Sequence, residues 1–484
     1  MKTLTTKALS SFLLVLCLSV ATAFAAAEPT DSTMQRVQNF VQDLTKQGLF
    51  SGNILIAKQE NVFYQHSLGY ADWEKKTSLN ADTKFNIGSL TKDFTQVVIL
   101  QLLQEGKLAL TDPVGKYLAD FPDNVAKEVT IEHLLTMRSG MGDYLMYPDF
   151  KPERDTTVSQ ILSAIRTKPL FFKPGSEQRY SNSGYVVLGA IIEKITGVGY
   201  ADNVTTRIFK PLGMNNSVFL SAGMAAPNTA SGTMFTLNGD KYNERQISRT
   251  FHPSPAGGVY STVGDLLLFS KSMLNDERLL QPASKMLFYG RYAPTPQAAN
   301  WNELRPKVRR AAAGGLPGWN SVVIELSNLH FVIIVCANVN DEFQAAEEVG
   351  TRISAILQNK PVPPMPLPIP MAMYKYIKEQ GIQKFVADYK TVLRDNDFDV
   401  PGPGFFNRFG YALLQKEKKP EWALEIFKLN TTLFPKNSNL FDSLGEGYMA
   451  LGDTKNAIAE LEKAVQLDSR NENAKRKLDE LKKK

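Results

Sequence analysis

Up to residue 358, apolar residues follow helical spacing in some stretches and form short continuous runs in others. Apolar residues three or four apart predict helices at 31–48 and from Leu90 to Gly106, where the glycine marks a helix end. Short apolar runs predict strands instead. The predicted strands lie at 53–58, 61–67, 321–326 and 330–337, and a helix follows at 342–358. Strands at both ends of a helix-rich middle predict one α+β domain, whose sheet pairs distant segments.

A proline-rich stretch separates this domain from the rest of the chain. Residues 361–370 contain six prolines, which predicts an extended, semi-rigid linker over 359–370. We therefore expect an α+β domain over 28–358, this linker, and an all-α domain over 371–484. Few contacts are expected to cross such a linker, so residues 28–358 are expected to fold by themselves.

The helical domain contains an internal repeat. Two similar segments begin at Ala423 and Ala457, and their separation matches the period of tetratricopeptide repeats, about 34 residues. Two such repeats bury little surface alone, so we expect them to pack also on the helices predicted at 371–400. A repeat domain of this kind offers a docking surface for a protein partner.

Residues 1–27 have the features of a secretory signal. Lys2 and Lys7 precede an apolar run from Ala8 to Val20, and Ala23-Phe24-Ala25 forms a small-x-small cleavage site. The apolar run is short for a membrane-spanning helix. We therefore expect cleavage, no stable membrane insertion afterwards, and a periplasmic or secreted protein. The net charge of +6, part of which leaves with this segment, is too small to indicate nucleic-acid binding.

The strongest chemical candidate is the stretch Phe85–Lys92. Gly88 permits a tight turn before Ser89, and Lys92, three residues later, lies on the same helix face. A serine hydroxyl becomes nucleophilic when a nearby base takes its proton, and a crowded site that lowers the pKa of a lysine allows it to be that base. A lone S-x-x-K motif is weak evidence, because it equally describes a serine N-cap followed by an exposed lysine.

Two later motifs strengthen the chemical interpretation. Tyr180-Ser181-Asn182 follows a turn and opens a predicted helix; a tyrosine there can shuttle a proton, and an asparagine can bind both a substrate amide and a lysine. Gly314-Gly315 precedes a predicted strand near the end of the domain. Each motif alone is common, but their order along one domain is specific.

Together, these motifs make residues 31–358 resemble the serine β-lactamase-like family, which includes class C β-lactamases, D-alanyl-D-alanine carboxypeptidases and related esterases. The resemblance implies an antiparallel sheet flanked by helices beside a helical subdomain, with the site between them. It implies that Ser89 is the acylated nucleophile, Lys92 its base and Tyr180 the acid–base group. It further implies that Asn182 orients the substrate, and that the backbone N–H groups of Ser89 and Gly315 stabilise the oxyanion.

The third family motif is degenerate in this chain. The family has Lys-Thr-Gly or His-x-Gly where this chain has Ala312-Ala313-Gly314. A substrate carboxylate would therefore lack its usual cation. On a strand, Arg310 shares a face with Ala312, so Arg310 is a candidate substitute for the lost charge; the alternative is a solvated arginine at the strand edge.

The leading hypothesis is an exported serine hydrolase of esterase or peptidase type that acts on a small ester, amide or cell-wall-like peptide. The alternative is a catalytically weak sensor that uses its repeats for protein docking. The four histidines show no metal-ligand spacing, and no phosphate-binding glycine loop has its lysine. We predict no metal, no cofactor and no nucleic-acid partner.

Overall fold

The computed structural model describes residues 31–483 except 60, 148–149, 225, 246–249, 291–297, 341–344, 363, 397 and 400–401. The predicted signal segment, 1–27, lies outside the described residues. The first elements are helix α1 (Asp31–Gln47) and strands β1 (Gly52–Lys58) and β2 (Asn61–Leu68). Their bounds confirm the predicted helix and strands to within one residue.

The remaining strands include short pairs around the site and three long strands. The strands are β3 (Tyr70–Asp72), β4 (Thr77–Ser78), β5 (Phe85–Asn86), β6 (Thr233–Phe235), β7 (Lys241–Asn243), β8 (Tyr260–Ser261), β9 (Arg309–Leu316), β10 (Trp319–Leu326) and β11 (Phe331–Ala337). Between the early and late strands lie helices α2 (Thr91–Gln104), α3 (Asp123–Glu128), α4 (Ile131–Leu135), α5 (Val158–Arg166), α6 (Asn182–Thr196), α7 (Tyr200–Val204), α8 (Lys210–Leu212), α9 (Val263–Asn275), α10 (Pro282–Gly290) and α11 (Trp301–Leu304).

The long strands form one antiparallel sheet in the order β2-β1-β11-β10-β9. Gly52 of β1 lies opposite Ala337 of β11, so the sheet joins the beginning of the domain to its end. Strand β9 forms one edge, and its residue Gly315 lies opposite Asn320 of β10. This α+β architecture agrees with the predicted fold class.

Alternating residues of the sheet enter two different cores. Leu55 belongs to the core shared with the helices of the middle segment, whereas Ile54 and Ile56 belong to a second core, packed against α1 and the later helix α12 (Ala345–Leu357). Full burial of each such side chain contributes about 1.5–3 kcal/mol to folding. Because both faces are covered, β1 is apolar at nearly every position rather than at alternate ones.

Residues 360–368, except 363, have no regular secondary structure, and contacts attach this proline-rich segment to the domain. Met365 is buried in the second core, the Arg352 guanidinium donates to the Pro364 carbonyl at 3.2 Å, and Arg36 donates to the Lys360 carbonyl at 2.9 Å. The segment therefore serves as a strap along α1 and α12 as well as a linker.

The rest of the chain is helical. Its helices are α13 (Ile369–Gln380), α14 (Ile382–Arg394), α15 (Pro403–Tyr411), α16 (Pro420–Leu433), α17 (Ser438–Ala450), α18 (Thr454–Leu467) and α19 (Glu472–Lys482). Ala423 and Ala457 are both fully buried, in α16 and α18. The repeat assignment itself stays a prediction, although this succession of helices fits it. No helix of the described residues is long and apolar enough to cross a membrane.

Contacts do cross from the helical part to the first domain, contrary to the expectation from the linker. The hairpin formed by β6 and β7 lies against the C-terminal helices. Lys416 donates to the Tyr242 hydroxyl at 2.6 Å, the Asn238 amide donates to Glu417 at 3.0 Å, and Leu237 packs against the core of the helical domain. These contacts fix the helical domain on one side of the sheet domain.

Candidate active site

Ser89 lies in a 3-10 turn, Gly88–Leu90, directly before α2. The predicted helix therefore begins two residues after Ser89, a small correction to its expected place in the first turn. Gly88 has φ of +51°, a conformation that favours glycine. The turn is fixed on both sides, because the Ile87 N–H donates to the Val259 carbonyl at 2.9 Å and the Thr91 hydroxyl donates to the Gly88 carbonyl at 2.8 Å.

Lys92 is buried, with 3% of its surface exposed. Its Nζ donates to Ser89 Oγ at 2.9 Å, to Asn182 Oδ1 at 2.8 Å and to the Ala256 carbonyl. Three donors are the full complement of an ammonium group. Lys92 therefore lies within proton-transfer distance of the serine and is held by fixed acceptors on two other segments.

Tyr180 and Asn182 reach the site from the start of α6. The Ser181 hydroxyl caps this helix by accepting from the Gly184 N–H at 3.3 Å, which fixes the residues on either side of it. The Tyr180 hydroxyl lies 2.7 Å from Ser89 Oγ, and Lys92 Nζ lies 5.0 Å from the centre of the Tyr180 ring. Tyr180 is 52% exposed, so it faces both the nucleophile and the solvent from which a substrate arrives.

Asp143 is a member of this network that the sequence reasoning missed. Its Oδ2 accepts from the Asn182 amide at 2.7 Å, while its Oδ1 caps the 3-10 turn Tyr144–Met146 by accepting from the Leu145 N–H at 3.1 Å. The first bond fixes the Asn182 amide so that its oxygen faces Lys92. A carboxylate directly after the loop glycines Gly140 and Gly142 was the available signal, but only the fold brings it to α6.

We predict that Asp143→Ala lowers kcat about tenfold, because Asn182 loses the bond that fixes its rotamer and small misplacements in a catalytic site are costly. Asp143→Asn is the matched variant: it keeps an oxygen acceptor and a similar volume, so it should lose less activity. Steady-state kinetics on a nitrophenyl ester measure both. Equal, undiminished kcat in both variants would show that Asp143 serves only as a helix cap.

The glycines of the third motif lie against the nucleophile turn. A Cβ atom on Gly314 would lie 2.5 Å from the Ser89 nitrogen and would clash with the Ile87 carbonyl. A Cβ on Gly88 would lie 2.6 Å from the Gly315 nitrogen. Only glycines allow this approach, which brings the backbone nitrogens of Ser89 and Gly315 to one side of the site. Gly315 itself is exposed.

The interpretation of Arg310 as a substrate-binding cation is wrong. Arg310 and Ala312 do share a face, as predicted, but that face is turned into the core, and the Arg310 side chain is only 3% exposed. Its guanidinium pairs with Asp93 and lies 3.7 Å from Glu325. Arg310 therefore joins β9 and β10 to α2 below the site. Residue spacing predicts correctly that Arg310 and Ala312 share one face of β9, but it does not predict whether that face is turned to the cleft or to the core.

Burial dominates the electrostatics of this ion cluster. It raises the pKa of Glu325, against the opposing effect of the Arg310 guanidinium, and it raises the pKa of the neighbouring Tyr289 hydroxyl well above its usual range. One guanidinium faces two carboxyl groups here, so the protonated form of Glu325 is favoured relative to an exposed glutamate.

Exposed apolar side chains, here called the apolar rim, lie on loops next to the site. They are Leu145 and Met146, which closely follow Asp143, and Phe171, which packs against the same glycine loop. The Phe171 N–H donates to the Gly140 carbonyl at 2.8 Å, and the Arg179 guanidinium lies 4.8 Å from the Phe171 ring centre. Contiguous exposed apolar side chains commonly mark a binding surface.

The geometry places Ser89 in contact with a lysine and a tyrosine, beside the fixed amide of Asn182 and the third-motif glycines. Such a set can acylate and deacylate a serine. Within the described ranges, no group of three or more His, Cys, Asp or Glu side chains could hold a metal ion.

The fold and this arrangement are those of a serine hydrolase of the β-lactamase and penicillin-binding type. The family model described as Beta-lactamase matches residues 36–358, more than half of the chain. The chain belongs to the β-lactamase family.

Individual relatives agree with this assignment. Protein flp of Staphylococcus aureus (strain MW2) is 29% identical over 336 residues, 67% of each chain. Penicillin-binding protein 4* of Bacillus subtilis (strain 168) is 26% identical over 348 residues, which cover 68% of this chain and 76% of that protein. The crystal structure of D-amino acid amidase from Ochrobactrum anthropi SV3 with L-phenylalanine amide superposes with a TM-score of 0.57 at 22% identity, covering 68% of this chain and 99% of that chain. At this identity, the superposition establishes the fold alone.

Proposed function

We propose that this protein is an exported serine hydrolase that forms an acyl-enzyme on Ser89 and acts on small neutral esters or amides. The observation that carries the proposal is the contact of Ser89 Oγ with both Lys92 Nζ, at 2.9 Å, and the Tyr180 hydroxyl, at 2.7 Å. The signal-like segment 1–27 supports export.

In the proposed reaction, Ser89 Oγ attacks the substrate carbonyl carbon while its proton passes to Lys92, which must be neutral at that moment. The oxyanion is stabilised by the backbone N–H groups of Ser89 and Gly315. Tyr180 delivers a proton to the departing alcohol or amine as the carbonyl–heteroatom bond breaks. A water molecule then gives a proton to the Tyr180 phenolate and attacks the acyl carbon. As the bond between that carbon and Ser89 Oγ breaks, the Lys92 ammonium returns its proton to Oγ, which releases the acid and restores all three groups.

The preference for neutral substrates rests on the absence of a cation from the third motif. Ala312, which is buried, occupies the position of that cation, and Arg310 is engaged below the site by Asp93. The rim of Leu145, Met146 and Phe171 offers apolar surface to the substrate. The name of the D-amino acid amidase described above is a reason to include amides beside esters in a substrate survey.

A matched pair of esters tests this preference. Nitrophenyl pentanoate and the nitrophenyl monoester of glutaric acid have the same leaving group and similar length, and they differ by a terminal carboxylate. We predict that kcat/KM is at least about tenfold higher for the pentanoate. The carboxylate of the glutarate ester finds no cation to pair with, whereas the methyl end of the pentanoate can be buried; a single contact of either kind is enough for a roughly tenfold difference. Equal rates, or faster hydrolysis of the glutarate ester, would contradict the proposed selectivity. Ser89→Ala, measured beside them, gives the background rate.

A further inference from the structure

A cavity lies at the end of the sheet that is far from Ser89. Its volume is about 260 Å³, and it lies between the end of β1, the start of β11 and α9. In the register of the sheet, Gly315 lies opposite Asn320, whereas Phe331 lies opposite Leu326. Six strand residues separate these levels, on the order of 20 Å at the usual rise of a strand. The cavity is therefore separate from the Ser89 site.

The polar wall of this cavity is cationic. Lys271 of α9, Arg305 of the 3-10 turn Arg305–Lys307 and His330 all line it, and no aspartate or glutamate is among the described residues that do so. Within the described part of the chain, neither Lys271 nor Arg305 forms an ion pair. Two cations without an ion pair beside one open cavity, the half-buried Lys271 and the exposed Arg305, create a positive potential that attracts an anion.

A buried hydroxyl group lies beside the cavity. Ser327 also lines the cavity, and its Oγ is buried without a hydrogen-bond partner among the described residues. A buried hydroxyl is normally hydrogen-bonded. His330, three residues later, has φ of +58° and donates its backbone N–H to the Ser327 carbonyl at 3.2 Å. Because of this tight turn, Ser327 and His330 both line the cavity.

Apolar side chains line the same cavity as these cations. Leu267, Leu274 and Val332 line it, and all three are otherwise buried. A purely ionic ligand would leave this surface in contact with water. The volume corresponds to on the order of nine water molecules at about 30 Å³ each, which is enough for a head group and a short chain but not for a long acyl chain.

From these features, we propose that this cavity binds a small amphiphilic anion, a phosphate or carboxylate group carrying a short apolar chain. Lys271 and Arg305 contact the anionic group, Ser327 donates to one of its oxygens, and the apolar chain lies against Leu267 and Val332. The proposal is independent of the chemistry at Ser89.

Hexyl phosphate is a suitable probe, and isothermal titration of the full chain measures its binding. We expect saturable binding that weakens at least about tenfold in Lys271→Ala and in Arg305→Ala, because a hydrogen bond to a charged group contributes about 1.5–3 kcal/mol. Lys307→Ala is the matched control: it removes the same charge from the same turn, but Lys307 does not line the cavity. Its affinity should stay within about twofold of wild type, as for a surface residue outside the site.

Two further ligands separate the parts of the proposal. Inorganic phosphate should bind at least about tenfold more weakly than hexyl phosphate, because it leaves the apolar side chains uncovered, and hexanol should not bind measurably. If inorganic phosphate binds as tightly as hexyl phosphate, the claim that the ligand needs an apolar chain is wrong. If hexanol binds, the claim that the ligand needs an anionic group is wrong. Absence of hexyl phosphate binding, or equal weakening in Lys307→Ala, would overturn the site. An unchanged midpoint of thermal unfolding in each variant verifies that it is folded.

Discussion

Replacing Lys92 with alanine is expected to lower kcat/KM for ester hydrolysis by about 10²–10⁴-fold, the usual contribution of a positioned proton-transfer group. Lys92 is the buried partner of Ser89, and the same nitrogen binds Asn182 and the Ala256 carbonyl. The substitution therefore removes the base and leaves two acceptors without their donor. Single-turnover acylation by a nitrophenyl ester measures the affected step directly.

Two other substitutions show whether Lys92 acts by taking a proton. Lys92→Arg keeps a positive charge but stays protonated at all accessible pH values, and Lys92→Met keeps the length of the side chain without the charge. If Lys92 is the base, both should be as slow as Lys92→Ala. Substantial activity in Lys92→Arg would assign the lysine an electrostatic role instead. Thermal unfolding of each variant controls for folding.

Replacing Arg310 with alanine is expected to destabilise the protein by about 3–5 kcal/mol, because removal of one partner leaves buried charges uncompensated. Arg310 pairs with Asp93 and lies beside Glu325, and all three side chains are less than a tenth exposed. Asp93 directly follows Lys92, so loss of the pair should also loosen α2 where it carries the base. Urea unfolding measures the change in the free energy of unfolding.

Arg309→Ala is the matched control for this experiment. Arg309 is the preceding residue of β9, is exposed, and donates to Gln358 at 2.8 Å. Its loss should cost no more than about 0.5 kcal/mol, as for most surface substitutions. If Arg310→Ala were as mild as Arg309→Ala but slowed hydrolysis of carboxylate-bearing esters, Arg310 would be a substrate cation after all, and its buried placement would be contradicted.

Much of the fold follows from periodicity. Strands β1, β10 and β11 are covered on both faces, so they appear in the sequence as unbroken apolar runs that are easy to recognise. The pairing of β1 with β11 was inferable only because strands at both ends of a domain need partners. The strap formed by residues 360–368 was not predicted, since a proline-rich composition describes local stiffness and not what the segment packs against.

The residues around the nucleophile were also predictable, because each occurs within a short local motif. The structure places Ser89, Lys92, Tyr180 and Asn182 within hydrogen-bond distance of one another in a chain of contacts. Their separate catalytic roles stay predictions. The glycines of the third motif lie where a close backbone approach requires them.

Asp143 and the surroundings of Arg310 could not be predicted in the same way. Asp143 lies in a polar loop, where an acidic residue is unremarkable until α6 packs beside it. Glu325, by contrast, is an acid within the otherwise uncharged strand β10, and Asp93 lies on a helix that is buried along most of its length. Isolated charges on apolar elements were an available signal for a buried ion cluster, but they do not identify its cation.

The most direct test is to find which residue becomes acylated. Exposure of the full chain to a fluorophosphonate, followed by intact-mass measurement and peptide mapping, reports the number and position of labels. We predict one label per chain, on the peptide that contains Ser89, and no label on Ser89→Ala. A label on a different serine, or equal labelling of Ser89→Ala, would contradict the assignment of Ser89 as the nucleophile.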